Sequence, residues 1–231
     1  MRGSTKVRRR DSIQGISSEL SSHYDSVVEE YVKHFFMDES DNTWLEEFAG
    51  YLDPGSYVLD AGCGPGNFSK VLLRNNLRVF GIDISNNMIG AARGLVGGAE
   101  FGVMNFAQIR FAANTFDGIL AAYSFLHMPK RQATRVLLEF RRVLVPRGVL
   151  CLMVKEGLGE GYLASALKKG THCFTKLWEP SELSRALVRS GFVVISRDSK
   201  EHESDKEFPY RKLLIIARSR KRGICKSSRM D

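Results

Sequence analysis

The feature that most restricts how this chain folds is the stretch from Tyr57 to Asp83, where two apolar runs flank a glycine turn and a short helix. Tyr57 to Ala61 reads as a buried strand, and glycines follow at 62, 64 and 66. A helix then covers about Phe68 to Arg74, and Val79 to Ile82 forms a second strand closed by Asp83. Strand, glycine turn, helix and strand in that order make a βα unit. Its loop lies beneath a helix N-terminus, where backbone can approach a ligand closely.

Spacing narrows the ligand. A dinucleotide turn has G-x-G-x-x-G, which lays pyrophosphate on backbone amides at the helix start. Here the run is Gly62-Cys63-Gly64-Pro65-Gly66-Asn67, with the third glycine one residue early. Asp60 adds a carboxylate at the strand end, which repels a pyrophosphate and attracts a cationic amino group. Asp83 can accept hydrogen bonds from both hydroxyls of a ribose. Each feature alone also has a structural explanation, as a tight turn or a helix-capping acid. Together they favour a nucleoside with an amino-acid end over a nicotinamide dinucleotide.

At these residues the chain resembles the class I S-adenosylmethionine (SAM)-dependent methyltransferases. The resemblance rests on Val58 to Gly66, on Val79 to Ser85 with Met88 and Ala91, on Asn114 to Ile119 with Ser124 to His127, and on Arg141 to Gly148. It covers about residues 55 to 155. It implies S-adenosyl-L-methionine as cofactor and an α/β fold: a Rossmann-like three-layer sandwich with a seven-stranded, mostly parallel sheet and an N-terminal helical cap.

The same resemblance assigns roles to single residues. Asp60, Gly62, Gly64 and Gly66 belong to the cofactor turn and Asp83 to the ribose, while Ile84 and Met88 flank the adenine. Asn105, beside Phe106, stands where many relatives carry an acid that accepts from the adenine amino group. An asparagine carbonyl retains that capacity, with its NH2 left for another partner. Tyr24, on the helical cap, is expected near the methionine end, with simple packing as the other explanation. Tyr123 and His127 follow strand four, at the end where ligands collect in open α/β sheets. His127 is the candidate general base, or else a hydrogen-bonded spacer.

Along the rest of the chain, Tyr24, Val27, Val28, Tyr31, Val32, Phe35 and Phe36 follow helical spacing over Ser21 to Phe36. A shorter helix is expected over Thr43 to Tyr51. Ser85 is a plausible cap for the next helix. Ala99 to Val103, Phe116 to Ala122 and Val149 to Val154 read as strands, the last as a central strand buried on both faces. Helices are expected over Lys130 to Leu144 and from Glu179 to Ser190. Glu156 to Gly161 reads as a flexible acidic loop lining the acceptor site. Phe192 to Arg197 and Leu213 to Ala217 have no helix between them, so they form an antiparallel hairpin at the sheet edge.

Composition bounds the partners. The 231 residues, 43% hydrophobic, suit one domain. The net charge of +8 is concentrated in residues 1 to 11 and 218 to 231, which leaves the body close to neutral. The expected organisation is a disordered basic tail over 1–15, a methyltransferase domain over 16–217 with its helical cap at 16–52, and a second basic tail over 218–231. Cysteines at 63, 151, 173 and 225 show no C-x-x-C pairing, so no metal is expected and the thiols are expected to be reduced. No run approaches the length of a membrane span, and a cytoplasmic, soluble protein is expected. The aromatic set Tyr24, Tyr31, Phe35, Phe36, Tyr123, Phe125 and Trp178 favours a small organic acceptor. The alternatives are an RNA methyltransferase that holds nucleic acid through the basic tails, and a non-catalytic SAM-binding regulatory protein.

Overall fold

The computed structural model describes residues 13–202 and 209–221. The chain opens with three helices, α1 (Ile13–Asp25), α2 (Val28–Phe35) and α3 (Asn42–Ala49). The βα unit follows as β1 (Tyr57–Ala61), α4 (Asn67–Arg74) and β2 (Arg78–Asp83). Next come α5 (Asn86–Leu95), β3 (Glu100–Val103), β4 (Phe116–Ala122), a 3-10 turn at Phe125–His127, α6 (Lys130–Val143) and β5 (Leu144–Lys155). β6 (Glu160–Ala164), β7 (His172–Lys176), α7 (Pro180–Arg189), β8 (Phe192–Lys200) and β9 (Lys212–Ser219) complete the chain.

Seven strands form one sheet in the order β3-β2-β1-β4-β5-β9-β8. The first five are parallel, and β9 runs antiparallel to both β5 and β8. The sheet therefore has the expected reversed strand. Strand order turns back between β1 and β4, and a crevice opens beyond the carboxyl ends of strands at such a switch point.

The two-residue period of the strands builds both faces. Leu59, Ile119, Leu150, Leu152, Val154, Leu213 and Ile215 join Val136, Leu137 and Phe140 of α6 and Leu183 and Leu187 of α7 in one buried cluster. Their neighbours Val58, Leu120, Val149, Cys151, Met153, Leu214 and Ile216 pack with Leu45 and Phe48 of α3 and Leu72 of α4. Burying both faces accounts for the near-continuous apolar runs of β4, β5 and β9.

Three expectations change. The helix read over Ser21 to Phe36 is two helices, because at Ser26 both the backbone N–H and the hydroxyl bond the His23 carbonyl, at 3.0 and 2.8 Å. A serine that satisfies a nearby carbonyl in this way competes with the helical ladder. Helix α1 begins at Ile13, inside the segment read as an unstructured tail, since Ile16 and Leu20 are buried against Cys173. The acidic loop at 156–161 is also shorter than expected. Glu160 already starts β6, which pairs antiparallel with β7 in a separate two-stranded sheet. The basic ends lie outside the described residues over 1–12 and 222–231, whereas Arg218 is part of β9. Among the described residues no helix is long and apolar enough to cross a membrane.

Candidate active site

The glycine turn sits at the switch point. Gly62, Gly64 and Gly66 all have positive φ, at 83°, 53° and 86°, the region that a Cβ disfavours. At Gly62 space is the harder limit, because a Cβ there would lie 2.3 Å from the Ser124 Cβ at the end of β4. Gly62→Ala is expected to lower stability by about 2–4 kcal/mol through overpacking and strain. A denaturant midpoint equal to that of the unaltered protein would show that the close approach is not real. Gly66 is the left-handed cap of α4 and faces Val96 and Phe101 rather than a cavity, so its part is to shape the turn.

Asp83 borders the cavity that the turn encloses. Its Oδ2 accepts from the Gly64 N–H at 3.0 Å and its Oδ1 from the Ser85 N–H at 2.9 Å. Burial raises its pKa, and these backbone donors oppose the rise. Each carboxylate oxygen keeps further acceptor capacity. Ser85 caps α5 by accepting from the Met88 N–H, while its hydroxyl donates to Asp25 Oδ1 at 2.6 Å. That pair ties the end of the cap to the Asp83 side of the cavity.

The cavity, about 750 Å³ of space including its open mouth, is walled by Gly62, Gly64, Asp83, Ile84, Met88, Asn105, Phe106 and Tyr123. Ile16, Ser17, Leu20 and Tyr24 of α1 roof it. The Asn105 Oδ1 accepts from the Ala107 N–H at 2.8 Å, and its Nδ2 donates to Ser17 Oγ at 3.0 Å. The side-chain NH2 thus holds the roof down, and the carbonyl oxygen retains one lone pair.

Asp60 lies behind the turn instead of in this wall. It is 1% exposed, and its Oδ2 accepts from the Ser69 hydroxyl at 2.6 Å. Its Oδ1 has no hydrogen-bond partner among the described residues, and burial pushes its pKa up to about 7. An unsatisfied buried carboxyl oxygen fits a cationic group brought to this turn. With Ser69, Cys63 and Asp83 as its ionisable or polar neighbours, Asp60 goes from mostly protonated to mostly ionised between pH 6 and pH 8. Affinity for a cationic amino group is expected to rise about tenfold over that interval, and the rise should disappear in Asp60→Asn. Calorimetric titrations at the two pH values check this.

A second cavity, about 820 Å³ on the same measure, adjoins the first and shares Tyr24, Tyr31, Tyr123 and His127 with it. Phe35, Phe68, Leu126 and Leu167 give it apolar walls, and Asp38, Asp41, Asn67 and Lys155 supply polar groups. Ser165, Ala166 and Leu167 come from the β6–β7 turn. That turn, and not the acidic segment 156–161, supplies this part of the wall. Glu156 instead meets Ser199 and Arg211, and Glu160 accepts from the Lys130 N–H. Of the aromatic set, Phe125 and Trp178 stack on each other in the core, and Phe36 lies under Lys70.

On the shared wall, His127 Nδ1 lies 2.7 Å from the Phe174 carbonyl and Nε2 lies 2.7 Å from Tyr24 Oη. A carbonyl only accepts, so Nδ1 carries the proton and the bare Nε2 accepts from the Tyr24 hydroxyl. Burial lowers the His127 pKa to about 4, and it raises that of Tyr24. Both groups are neutral at pH 7. Tyr123 adopts φ 52° at the end of β4, and its hydroxyl donates to Asp41 Oδ2 at 2.9 Å. Asp41 also receives Lys200 at 2.9 Å and Lys212 at 3.3 Å, so a buried ion cluster fixes the Tyr123 ring. The roof residues Ile16, Ser17 and Leu20, together with Lys155 and Asp41, were not foreseen from sequence. Their only signals were the apolar Ile16/Leu20 pair at i and i+4 and a lysine ending an apolar strand.

A switch-point cavity walled by a glycine turn and a buried carboxylate, with a second cavity adjoining it, is the ligand-site arrangement of the Rossmann-like class. Residues 58–148 match the family model described as a methyltransferase domain. A probable methyltransferase of Aspergillus luteorubrus is 32% identical over 114 residues, covering 43% of this chain and 40% of that protein. The ubiquinone biosynthesis O-methyltransferase of Azoarcus sp. (strain BH72) is 27% identical over 167 residues, covering 66% and 70%. The fold is also that of the 1,6-didemethyltoxoflavin-N1-methyltransferase of Burkholderia thailandensis, solved with S-adenosylhomocysteine, at TM-score 0.72, 18% identity and 90% coverage of each chain. Residues 58–148 therefore carry a domain of the SAM-dependent methyltransferase family, whose cofactor is S-adenosyl-L-methionine.

Proposed function

We propose that this chain transfers a methyl group from SAM to a nucleophilic atom, foremost a hydroxyl oxygen, of a small organic acceptor. The observation that carries this is the Tyr24–His127 hydrogen bond on the wall common to the two cavities. The cofactor supplies a methyl group already activated on a positive sulfur. The protein has to hold the acceptor in line, exclude water and receive a proton, and alignment alone is worth roughly 7–11 kcal/mol of barrier when the geometry is ideal.

Asp83, Asn105, Ile84 and Met88 would hold the nucleoside, with Asp60 behind the turn as the counter-charge to the amino group. Tyr31, Phe35, Phe68 and Tyr123 would seat the acceptor and keep water out. An acceptor hydroxyl that donates to Tyr24 Oη can pass its proton there as Tyr24 passes its own to His127 Nε2. The Nδ1–H bond to the Phe174 carbonyl then favours the charged imidazole.

The test is incubation of the protein with methyl-labelled SAM and an extract of small metabolites, followed by mass spectrometry for products heavier by one labelled methyl. Label recovered in RNA, with binding that falls steeply with salt and is lost on trimming the basic ends, would favour a nucleic-acid acceptor. SAM binding without label transfer would favour a regulatory protein.

A further inference from the structure

We propose that Asn67 selects the acceptor by pairing its side-chain amide with an uncharged donor–acceptor edge, the lactam of a flat ring. The inference rests on the methyl-transfer function above and names its substrate class. Asn67 is the first residue of α4 and borders the second cavity together with its neighbour Phe68. It is 6% exposed and is the only buried asparagine among the described residues. Its carboxamide has no hydrogen-bond partner among the described residues. The partnerless polar atoms sealed in the interior belong to Asp60, Arg141, Trp178 and Ser190. Those of Asn67 are not sealed, and they open onto the cavity that the residue lines. A buried amide left in this way is costly unless a ligand completes it.

An asparagine at a helix start ordinarily bonds nearby backbone, but here Gly66 holds the cap position and no side chain caps α4. Asn105, on the wall of the first cavity, shows the contrast, since its Oδ1 accepts from Ala107 and its Nδ2 donates to Ser17. Other polar groups on the second cavity's wall are already engaged. Asp38 accepts from the Ser40 N–H at 2.9 Å, Asp41 accepts from Tyr123, and His23 Nε2 lies 3.3 Å from Ser165 Oγ. Asn67 therefore offers an acceptor and a donor side by side in one plane. A lactam matches both at once, its N–H donating to Oδ1 and its carbonyl accepting from Nδ2. A carboxylate lacks the donor and an ammonium lacks the acceptor. The aromatic and apolar walls Tyr31, Phe35, Phe68 and Leu167 suit a flat ring. Tyr24 and His127 border the same cavity, so a lactam edge held at Asn67 leaves a hydroxyl elsewhere on the ring for that pair.

The test compares binding of 6-hydroxyquinolin-2-one and 6-hydroxycoumarin to the full chain loaded with S-adenosylhomocysteine, by ligand-observed NMR and calorimetry. The two share an outline and an uncharged phenol, and differ in that a ring N–H is replaced by oxygen. The lactam is expected to bind at least about tenfold tighter, because the lactone sets an oxygen against Asn67 Oδ1 and leaves it unpaired. The preference should vanish in Asn67→Leu, which keeps the volume and removes the amide, with affinity for S-adenosylhomocysteine unchanged. Equal binding of lactam and lactone, binding of neither, or a preference that survives Asn67→Leu would each overturn the proposal. So would a fall in S-adenosylhomocysteine affinity in that variant, which would give the amide to the cofactor. Because the readout is binding and not turnover, a failure here is separate from a failure of labelled-methyl transfer. Thermal melting guards against misfolding, and if Asn67→Leu does not fold, the lactam-to-lactone ratio of the unaltered chain still decides.

Discussion

Asp83→Ala is expected to weaken SAM binding by about 2–4 kcal/mol, or roughly 30- to 800-fold, through loss of two hydrogen bonds to the ribose hydroxyls. Both oxygens of this carboxylate are anchored by backbone donors, Gly64 at 3.0 Å and Ser85 at 2.9 Å, so it is held ready before the cofactor arrives. The substitution also strands those two N–H groups and loosens the turn itself. Asp83→Asn separates the contributions: it keeps one acceptor oxygen for the turn but loses the charge, and its loss should be intermediate. Calorimetric affinity that is unchanged in Asp83→Ala, with the fold intact, would place the ribose elsewhere.

The second large effect concerns the proton. With an acceptor that the enzyme methylates on oxygen, Tyr24→Phe and His127→Ala are each expected to lower kcat by about 10²-fold or more. SAM affinity should change by no more than about threefold, since Tyr24→Phe keeps the ring that roofs the first cavity and the nucleoside is assigned to Asp83, Asn105, Ile84 and Met88. Because burial sets the His127 pKa at about 4 instead of 6.5, Nε2 remains an acceptor throughout the neutral range. At saturating SAM, which removes the Asp60 effect on cofactor binding, the acid limb of kcat/KM for the acceptor should therefore fall near pH 4, and a limb near pH 6.5 would mean that His127 is not the group that titrates. Full retained turnover in both variants would remove the pair from the mechanism and leave it as a hydrogen-bonded strut between α1 and the 3-10 turn after β4.

The buried thiols play no such part. Burial raises the pKa of Cys63, Cys151 and Cys173, that of Cys173 to about 12. They pack as small apolar side chains, in line with the absence of C-x-x-C spacing.

How much was legible beforehand follows from the range of the interactions. Strands β1, β2, β4 and β5 could be read because burial on both faces forces continuous apolar runs, and the glycine turn because a positive φ leaves few alternatives to glycine. The break between α1 and α2 was hidden because the apolar spacing continues through Ser26 and only a local side-chain bond interrupts the helix. The β6–β7 hairpin was hidden because it is a half-exposed ribbon, with alternate residues of β6 facing solvent, and it carries no strong apolar period.

The chain's own order of residues determined the βα unit, the preference for a nucleoside with an amino-acid end, and the reversed strand implied by two strands without a helix between them, since each depends on neighbours a few positions apart. Only the tertiary structure decided that Tyr24 meets His127 across 103 residues, that Asp60 stands behind the turn instead of in the cavity wall, and that Asp41, Lys155, Lys200 and Lys212 gather around Tyr123. Those contacts join segments brought together by the packing of α1, α3 and the C-terminal hairpin onto the sheet, and no periodicity records a pairing that depends on where the loops return.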